Sequence, residues 1–167
     1  MQYHVVIVGG GAAGLMCAAT AGYRGRQVLI IEHANKVGKK ILMSGGGRCN
    51  FTNYIVEPEQ FISDNPHFCK SALSRYTPAD FIELVDRHGL NWHEKTKGQL
   101  FCDHKAKDLL NILLTECDYA GVTIQTQCGI TGLQKTESGF DLQTSLGNIT
   151  CDSLVIATGG LSIPTMG

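Results

Sequence analysis

Apolar positions fall into two kinds of pattern along this chain, and their order predicts the fold. Tyr3-His4-Val5-Val6-Ile7-Val8, Val28-Leu29-Ile30-Ile31 and Leu154-Val155-Ile156-Ala157 are short apolar runs, the pattern of parallel strands covered on both faces. Between the first two lies a stretch rich in small residues, Ala12 to about Tyr23, with Gly22 and Gly25 as its exit. It predicts a helix packed close to a sheet. A second helical stripe, Ala106, Leu109, Leu110, Leu113, Cys117 and Ala120, has Asp103 as a candidate cap and ends at Gly121. A strand over 122–126 is expected to follow.

The next pattern is different in kind. Residues 130–136, 140–144 and 149–151 read as short alternating strands, separated by Glu137-Ser138-Gly139 and Leu146-Gly147-Asn148 as turns. The crossover from the third to the fourth parallel strand is thus a β-meander, where a plain NAD domain would place a helix. Residues 51–103 show little parallel-sheet character. Thr77-Pro78-Ala79-Asp80 opens a helix that carries Phe81, Leu84, Val85 and His88 on one face and closes at Gly89. His88 reads as a boundary residue of that face. A shorter helix over 68–76 and a hairpin of 90–94 with 98–102, turning at Lys95-Thr96-Lys97, complete the region.

Candidate chemistry begins at the first strand's end. Gly9-Gly10-Gly11-Ala12-Ala13-Gly14 fits G-x-G-x-x-G, with a strand before it, a helix after it and Glu32 ending the second strand. Gly9 permits the turn, Gly11 lets backbone N–H groups approach a pyrophosphate, and Gly14 lets the helix sit on the strand. The helix start adds unpaired N–H groups and partial positive charge. Glu32 is placed to accept hydrogen bonds from ribose hydroxyls, and a carboxylate there disfavours a 2′-phosphate, so FAD or NAD fits better than NADP. A P-loop is excluded, since no Gly-Lys-Ser/Thr follows. Farther on, Ser44-Gly45-Gly46-Gly47-Arg48-Cys49-Asn50 follows the apolar Ile41-Leu42-Met43. Three successive glycines predict a loop whose backbone presses on a flat ligand or phosphate, with Lys40 and Arg48 as cationic partners.

Composition narrows the class. The chain has 167 residues, 43% hydrophobic and 17% charged, with a net charge of −1, so no global attraction to nucleic acid or an anionic membrane is expected. The seven cysteines contain no Cys-x-x-Cys and read as reduced, mostly buried residues of a cytoplasmic protein. No metal site is read. No secretory leader is expected, since Met1 and Gln2 lead straight into the first strand, and no apolar run has membrane-spanning length. His93, Lys95, Lys97, His104, Lys105 and Lys107 form a basic edge, by default a solvated one and alternatively a polyanion contact.

The first βαβ unit, the meander crossover and the terminal Ala157-Thr158-Gly159-Gly160 resemble the glutathione-reductase-like FAD domain. More narrowly, the run from Lys40 through Ser44-Gly45-Gly46-Gly47-Arg48-Cys49-Asn50 to Asn53 is similar to the signature of the BaiN/RdsA-like (YhiN-type) bacterial flavoproteins. Asn65-Pro66-His67-Phe68, Trp92-His93-Glu94-Lys95-Thr96 and Gly98-Gln99-Leu100-Phe101-Cys102-Asp103 resemble its proteobacterial branch. The fold class expected is α/β: a Rossmann-like, glutathione-reductase-type FAD-binding domain with a meander crossover and a small α+β insertion.

The resemblance implies non-covalent FAD, with NAD(P)H as electron donor, and reduction of conjugated C=C bonds in a steroid-type enone or in uracil of ribosomal RNA. It implies that Gly9, Gly11, Ala12, Ala13 and Gly14 hold the pyrophosphate, Glu32 and His33 the adenosine ribose, with Lys39 and Lys40 near the ribose and phosphates. The backbone around Ile130 would flank the adenine. Residues 44–50 would wrap the ribityl chain and flavin, and Ala157, Thr158, Gly159 and Gly160 would close over the cofactor. Arg48 and Cys49 are the weak catalytic candidates: Arg48 to stabilise negative charge, Cys49 as a proton donor. The expected division is 1–52 and 104–167 for the FAD-binding domain and 53–103 for the insertion. Family members are longer, so a substrate domain and a C-terminal return that completes the FAD site are expected to be absent. Partners expected are a small molecule or ribosomal RNA, with no membrane and no DNA; oligomeric state is not legible. Two other classes stand beside the reductase: a non-catalytic FAD-binding module, and an RNA-contacting modification protein using the basic edge.

Overall fold

A computed structural model describes residues 1–161, so positions 162–167 of the expected 104–167 segment lie outside the described residues. The described residues divide into two compact units, one of residues 1–41 with 113–161 and one of residues 42–112.

In the first unit, β1 (Gln2–Val8), α1 (Ala12–Tyr23) and β2 (Val28–Ile31) follow as the apolar pattern predicts. β1 and β2 pair in parallel, Val5 beside Val28 and Val8 beside Ile31. All four β2 side chains are buried, as a strand covered on both faces requires. Helix α5 (Ala106–Tyr119) precedes β6 (Thr123–Gln125), which joins the outer edge of β2 in parallel. The meander then runs through β7 (Ile130–Lys135), β8 (Phe140–Thr144) and β9 (Gly147–Ile156). Among the described residues these strands form one sheet in the order β6-β2-β1-β9-β8-β7. On one side of it Val6, Leu29, Ile31, Cys128, Leu142, Ile149 and Cys151 form a buried cluster, with Tyr3, Ile130, Phe140 and Leu154 packed around it.

The last strand corrects the reading of two separate runs at 149–151 and 154–157. β9 is continuous: it pairs antiparallel with β8 from Gly147 to Cys151 and parallel with β1 from Thr150 to Ile156. Asp152 and Ser153, which read as a break, are exposed while their backbone continues beside β1. The turn before it lies at Ser145-Leu146, earlier than expected, and Gly147, at φ +118°, opens the strand. Ile156 is 64% exposed, so the final apolar run is not covered along its whole length.

The second unit holds a three-stranded antiparallel sheet, ordered β3-β5-β4, of β3 (Asn50–Asn53), β4 (Trp92–Glu94) and β5 (Gln99–Cys102). The β4–β5 hairpin was legible, with Lys97 and Gly98 at positive φ in its turn. β3 was not, because Asn50 to Asn53 carries no alternating apolar pattern. Helices α3 (Lys70–Arg75) and α4 (Pro78–Arg87) also belong to this unit, and the short α2 (Lys39–Met43) comes before them in the chain. α4 starts as expected: Thr77 Oγ1 accepts from the Asp80 N–H at 3.4 Å, and Asp80 Oδ2 accepts from the Thr77 N–H at 2.6 Å. Asp103 does not cap α5. Its carboxylate meets His93 Nδ1 at 2.7 Å, and it is Asp108 inside the first turn that accepts the Lys105 N–H.

Candidate nucleotide-binding site

A cleft of about 670 Å³ opens in the first unit at the carboxyl ends of β1, β2 and β9. This is where an open parallel sheet binds ligands. Its floor is Gly9 to Ala13, one wall is Glu32 to Ala34 with the Lys36–Ile41 stretch, and the other is Ile156 to Gly159. The cleft thus gathers Gly9, Gly11, Ala12, Ala13, Glu32, His33, Lys39, Lys40, Ala157, Thr158 and Gly159.

Each glycine of the turn has its own reason. Gly9 sits at φ +109°, and a Cβ there would collide with the Ala157 carbonyl, because the Ala157 N–H bonds the Val8 carbonyl at 2.8 Å. A Cβ on Gly14 would collide with the Gly9 carbonyl, so α1 can lie against the turn only as glycine. Gly11 differs: among the described residues, nothing lies within 4 Å of the position a Cβ would take. Its bareness serves no packing against them, as expected of a residue kept small for a ligand.

α1 begins at that open point. It has no side-chain cap and no acidic residue in its first turn, and Ala12 and Ala13 are exposed. Its first N–H groups face the cleft with the positive end of the helix dipole. Glu32 is fixed beside them: Oε2 accepts the Gly10 N–H at 2.9 Å and Oε1 the Ala34 N–H at 2.8 Å. A carboxylate has about four acceptor positions, so two backbone bonds leave capacity for ribose hydroxyls. His33 Nδ1 lies 3.1 Å from Glu32 Oε1, with its side chain 88% exposed.

Lys40 Nζ donates to the Gly160 carbonyl at 2.5 Å and so ties the two walls of the cleft. Gly10, inside the predicted glycine turn, lines the cleft too, as do Ala34, Lys36, Gly38, Ile41 and Ile156, which were not singled out from sequence. Gly38, at φ +71°, had a signal: its N–H bonds the Gly10 carbonyl at 2.8 Å, a close approach that a glycine in a polar loop can mark. Ile130 does not line the cleft; it packs beside the buried cluster, while Cys128 just before it donates its N–H to the Glu32 carbonyl at 3.0 Å.

Residues 44–50 lie in the second unit and make a cluster of their own. Ser44–Gly47 forms a 3-10 turn in which Gly45, Gly46 and Gly47 have φ of 57°, 67° and 88°. A Cβ on Gly45 would stand 2.8 Å from the Phe101 ring. Arg48 is exposed. Cys49 is 4% exposed, takes φ +51°, and its thiol hydrogen-bonds Cys102 and Ser44. The Cys102 bond is the main cause that lowers the Cys49 thiol to about 7; burial opposes it and Ser44 supports it. That neighbour was missed from sequence, since Cys49 and Cys102 lie far apart along the chain.

Residues 3–167 match the family model of the HI0933-like protein Rossmann domain. The chain belongs to the HI0933-like family. Among its relatives, the ribosomal RNA dihydrouridine synthase of Escherichia coli K12 is 52% identical over 99% of this chain and 42% of its own length. The enzyme of the same name from Haemophilus influenzae is 46% identical, over 97% and 41%. The 3-dehydro-bile acid delta(4,6)-reductase of Clostridium scindens is 28% identical, over 96% and 40%. This HI0933-like chain therefore spans about two-fifths of the length of these relatives. In fold it is similar to a Rhodococcus jostii 3-ketosteroid-delta4-(5alpha)-dehydrogenase, with a TM-score of 0.66 at 15% identity over 96% of this chain and 46% of that one. Glycine oxidase from Geobacillus kaustophilus gives a TM-score of 0.61 at 20% identity, over 95% and 55%. The fold is the expected Rossmann-type, FAD-binding class with a meander crossover. Among the described residues, no helix is long and apolar enough to cross a membrane.

Proposed function

We propose that the cleft holds the ADP half of FAD, and that the protein is a flavin-dependent reductase of C=C bonds, with uridine in ribosomal RNA as substrate. The observation that carries the reading is the join of Gly11, the uncapped start of α1 and the Glu32 carboxylate in one cleft. The residues present fit the group. The bare Gly11 and the α1 N–H groups suit a pyrophosphate, and Glu32 suits ribose hydroxyls. Lys39, Lys40 and His33 would flank the ribose and phosphates. Ala157 to Gly160 would close over the cofactor. Residues 44–50 would meet the ribityl chain and flavin, with Arg48 offsetting negative charge there.

FAD supplies the two-electron chemistry when bound; the protein's part is to hold and orient it. The substrate class rests on the relatives. Two are named as ribosomal RNA dihydrouridine synthases and a third as a bile acid delta(4,6)-reductase, and each name describes saturation of a C=C bond. NAD(P)H is the electron donor this reading takes. The test is an absorbance spectrum after incubation with FAD and desalting. Retained visible flavin bands support the reading, and a protein that neither retains nor titrates FAD contradicts it.

A further inference from the structure

Cys49 and Cys102 face one another across two strands of the second unit. The β3–β5 register ends with Asn50 beside Phe101, and Cys49 precedes it at φ +51°, next to the Cys102 end of β5. The Cys102 N–H donates to the Cys49 carbonyl at 3.2 Å and to the Arg48 carbonyl at 3.1 Å. The backbone bond to Cys49 sets the two residues side by side, as a disulfide requires, since it spans roughly 4.4–6.8 Å between Cα atoms. The two thiols also hydrogen-bond each other. Both residues are buried, at 4% and 0% exposure.

The partners are not equivalent. Cys49 receives the Cys102 S–H and the Ser44 O–H, which favour its thiolate over the thiol. Cys102 is pushed the other way, first by its bond to Cys49 and then by burial. Among the described residues, a Cβ on Gly46 or Gly47 would meet nothing within 4 Å, whereas one on Gly45 would meet the Phe101 ring and the Asn50 nitrogen.

We propose that Cys49 and Cys102 are a redox-active pair that closes to a disulfide when the protein meets a hydroperoxide. The Cys49 thiolate attacks the peroxide: an S–O bond forms, the O–O bond breaks, and the second oxygen leaves with a proton as water or alcohol. Cys102 then attacks the Cys49 sulfur, an S–S bond forms, and the hydroxyl leaves with the Cys102 proton as water. Two thiols are oxidised and one peroxide is reduced by the same two electrons. No step uses FAD, so this pairing stands or falls apart from the cofactor reading.

The experiment treats the reduced protein with hydrogen peroxide, quenches in acid, alkylates under denaturing conditions and maps the peptides. A Cys49–Cys102 linked peptide that dithiothreitol reverses is the expected result, with the other five cysteines alkylated as in the untreated protein. In Cys102→Ser the expected product is a Cys49 sulfenic acid captured by dimedone. Full alkylation of Cys49 and Cys102 after peroxide, or a Cys49 linked instead to another cysteine, overturns the proposal. The wild-type map decides this even if the variant fails to fold.

Discussion

Glu32 Oε2 accepts the Gly10 N–H at 2.9 Å, so the acid at the end of β2 is bolted to the glycine turn at the end of β1. Together with the Oε1 bond to Ala34, this makes Glu32 both a ligand candidate and a structural clamp. Glu32→Ala leaves two partly buried N–H groups without their acceptor. The expected loss is about 1–3 kcal/mol of stability, measured by urea unfolding, with at least a tenfold weaker affinity for ADP by titration calorimetry.

Gly11 and Gly14 lie on the same turn and are expected to fail differently. In Gly14→Ala the new methyl meets the Gly9 carbonyl, so the variant loses stability, by about 1–3 kcal/mol as for overpacking. In Gly11→Ala no described residue is touched, so its melting temperature stays near wild type while nucleotide affinity falls. Thermal unfolding and an ADP titration on both variants separate the two outcomes.

The α4 capping box gives a prediction away from the cleft. Thr77→Ala removes the hydroxyl that accepts the Asp80 N–H, and the expected cost is about 1 kcal/mol by chemical unfolding. Asp80's carboxyl is held below the usual carboxylate range by its bonds from Thr77, the side-chain bond first. A lowered folded value means this contribution is present above roughly pH 4. It is lost as the pH falls through the lowered value. The difference between wild type and Thr77→Ala is therefore expected to shrink in acid.

Cys49 is expected to titrate apart from the buried thiols that surround other parts of the core. Its thiol is lowered to about 7, whereas burial pushes Cys17 and Cys151 up and Cys117 to about 11. Thiolate absorbance near the ultraviolet edge should show a step near pH 7 in wild type. In Cys102→Ala, with the main hydrogen bond gone, that step moves to higher pH; a step that stays in place contradicts the assigned cause.

Local patterns made the first βαβ unit legible. Gly9, Gly11, Gly14 and Glu32 each follow from strand, turn and helix chemistry within a few residues; Gly9, Gly11 and Glu32 line one cleft, while Gly14 is buried against the Gly9 carbonyl behind it. The Thr77-Pro78 start of α4 was legible for the same reason. What escaped depended on pairings distant in sequence. β9 runs through Asp152 and Ser153 because β1 supplies its partners there, and β3 exists because β5 lies beside it. Asp103 sits where a cap is expected, but its carboxylate is taken by His93. Cys49 read as a solitary cysteine because its partner sits on β5, beside β3 in the sheet but far from it along the chain.

The central claim is that the Gly11–Glu32 cleft is an adenine-nucleotide site, and competition tests it most directly. FAD is titrated into the protein by flavin fluorescence, then ADP is added, with Gly11→Ala run beside wild type. The account expects saturable FAD binding that ADP displaces, and weaker binding of both ligands in the variant at unchanged melting temperature. FAD binding that ADP leaves untouched, or a Gly11→Ala variant that binds both ligands as tightly as wild type, would contradict it.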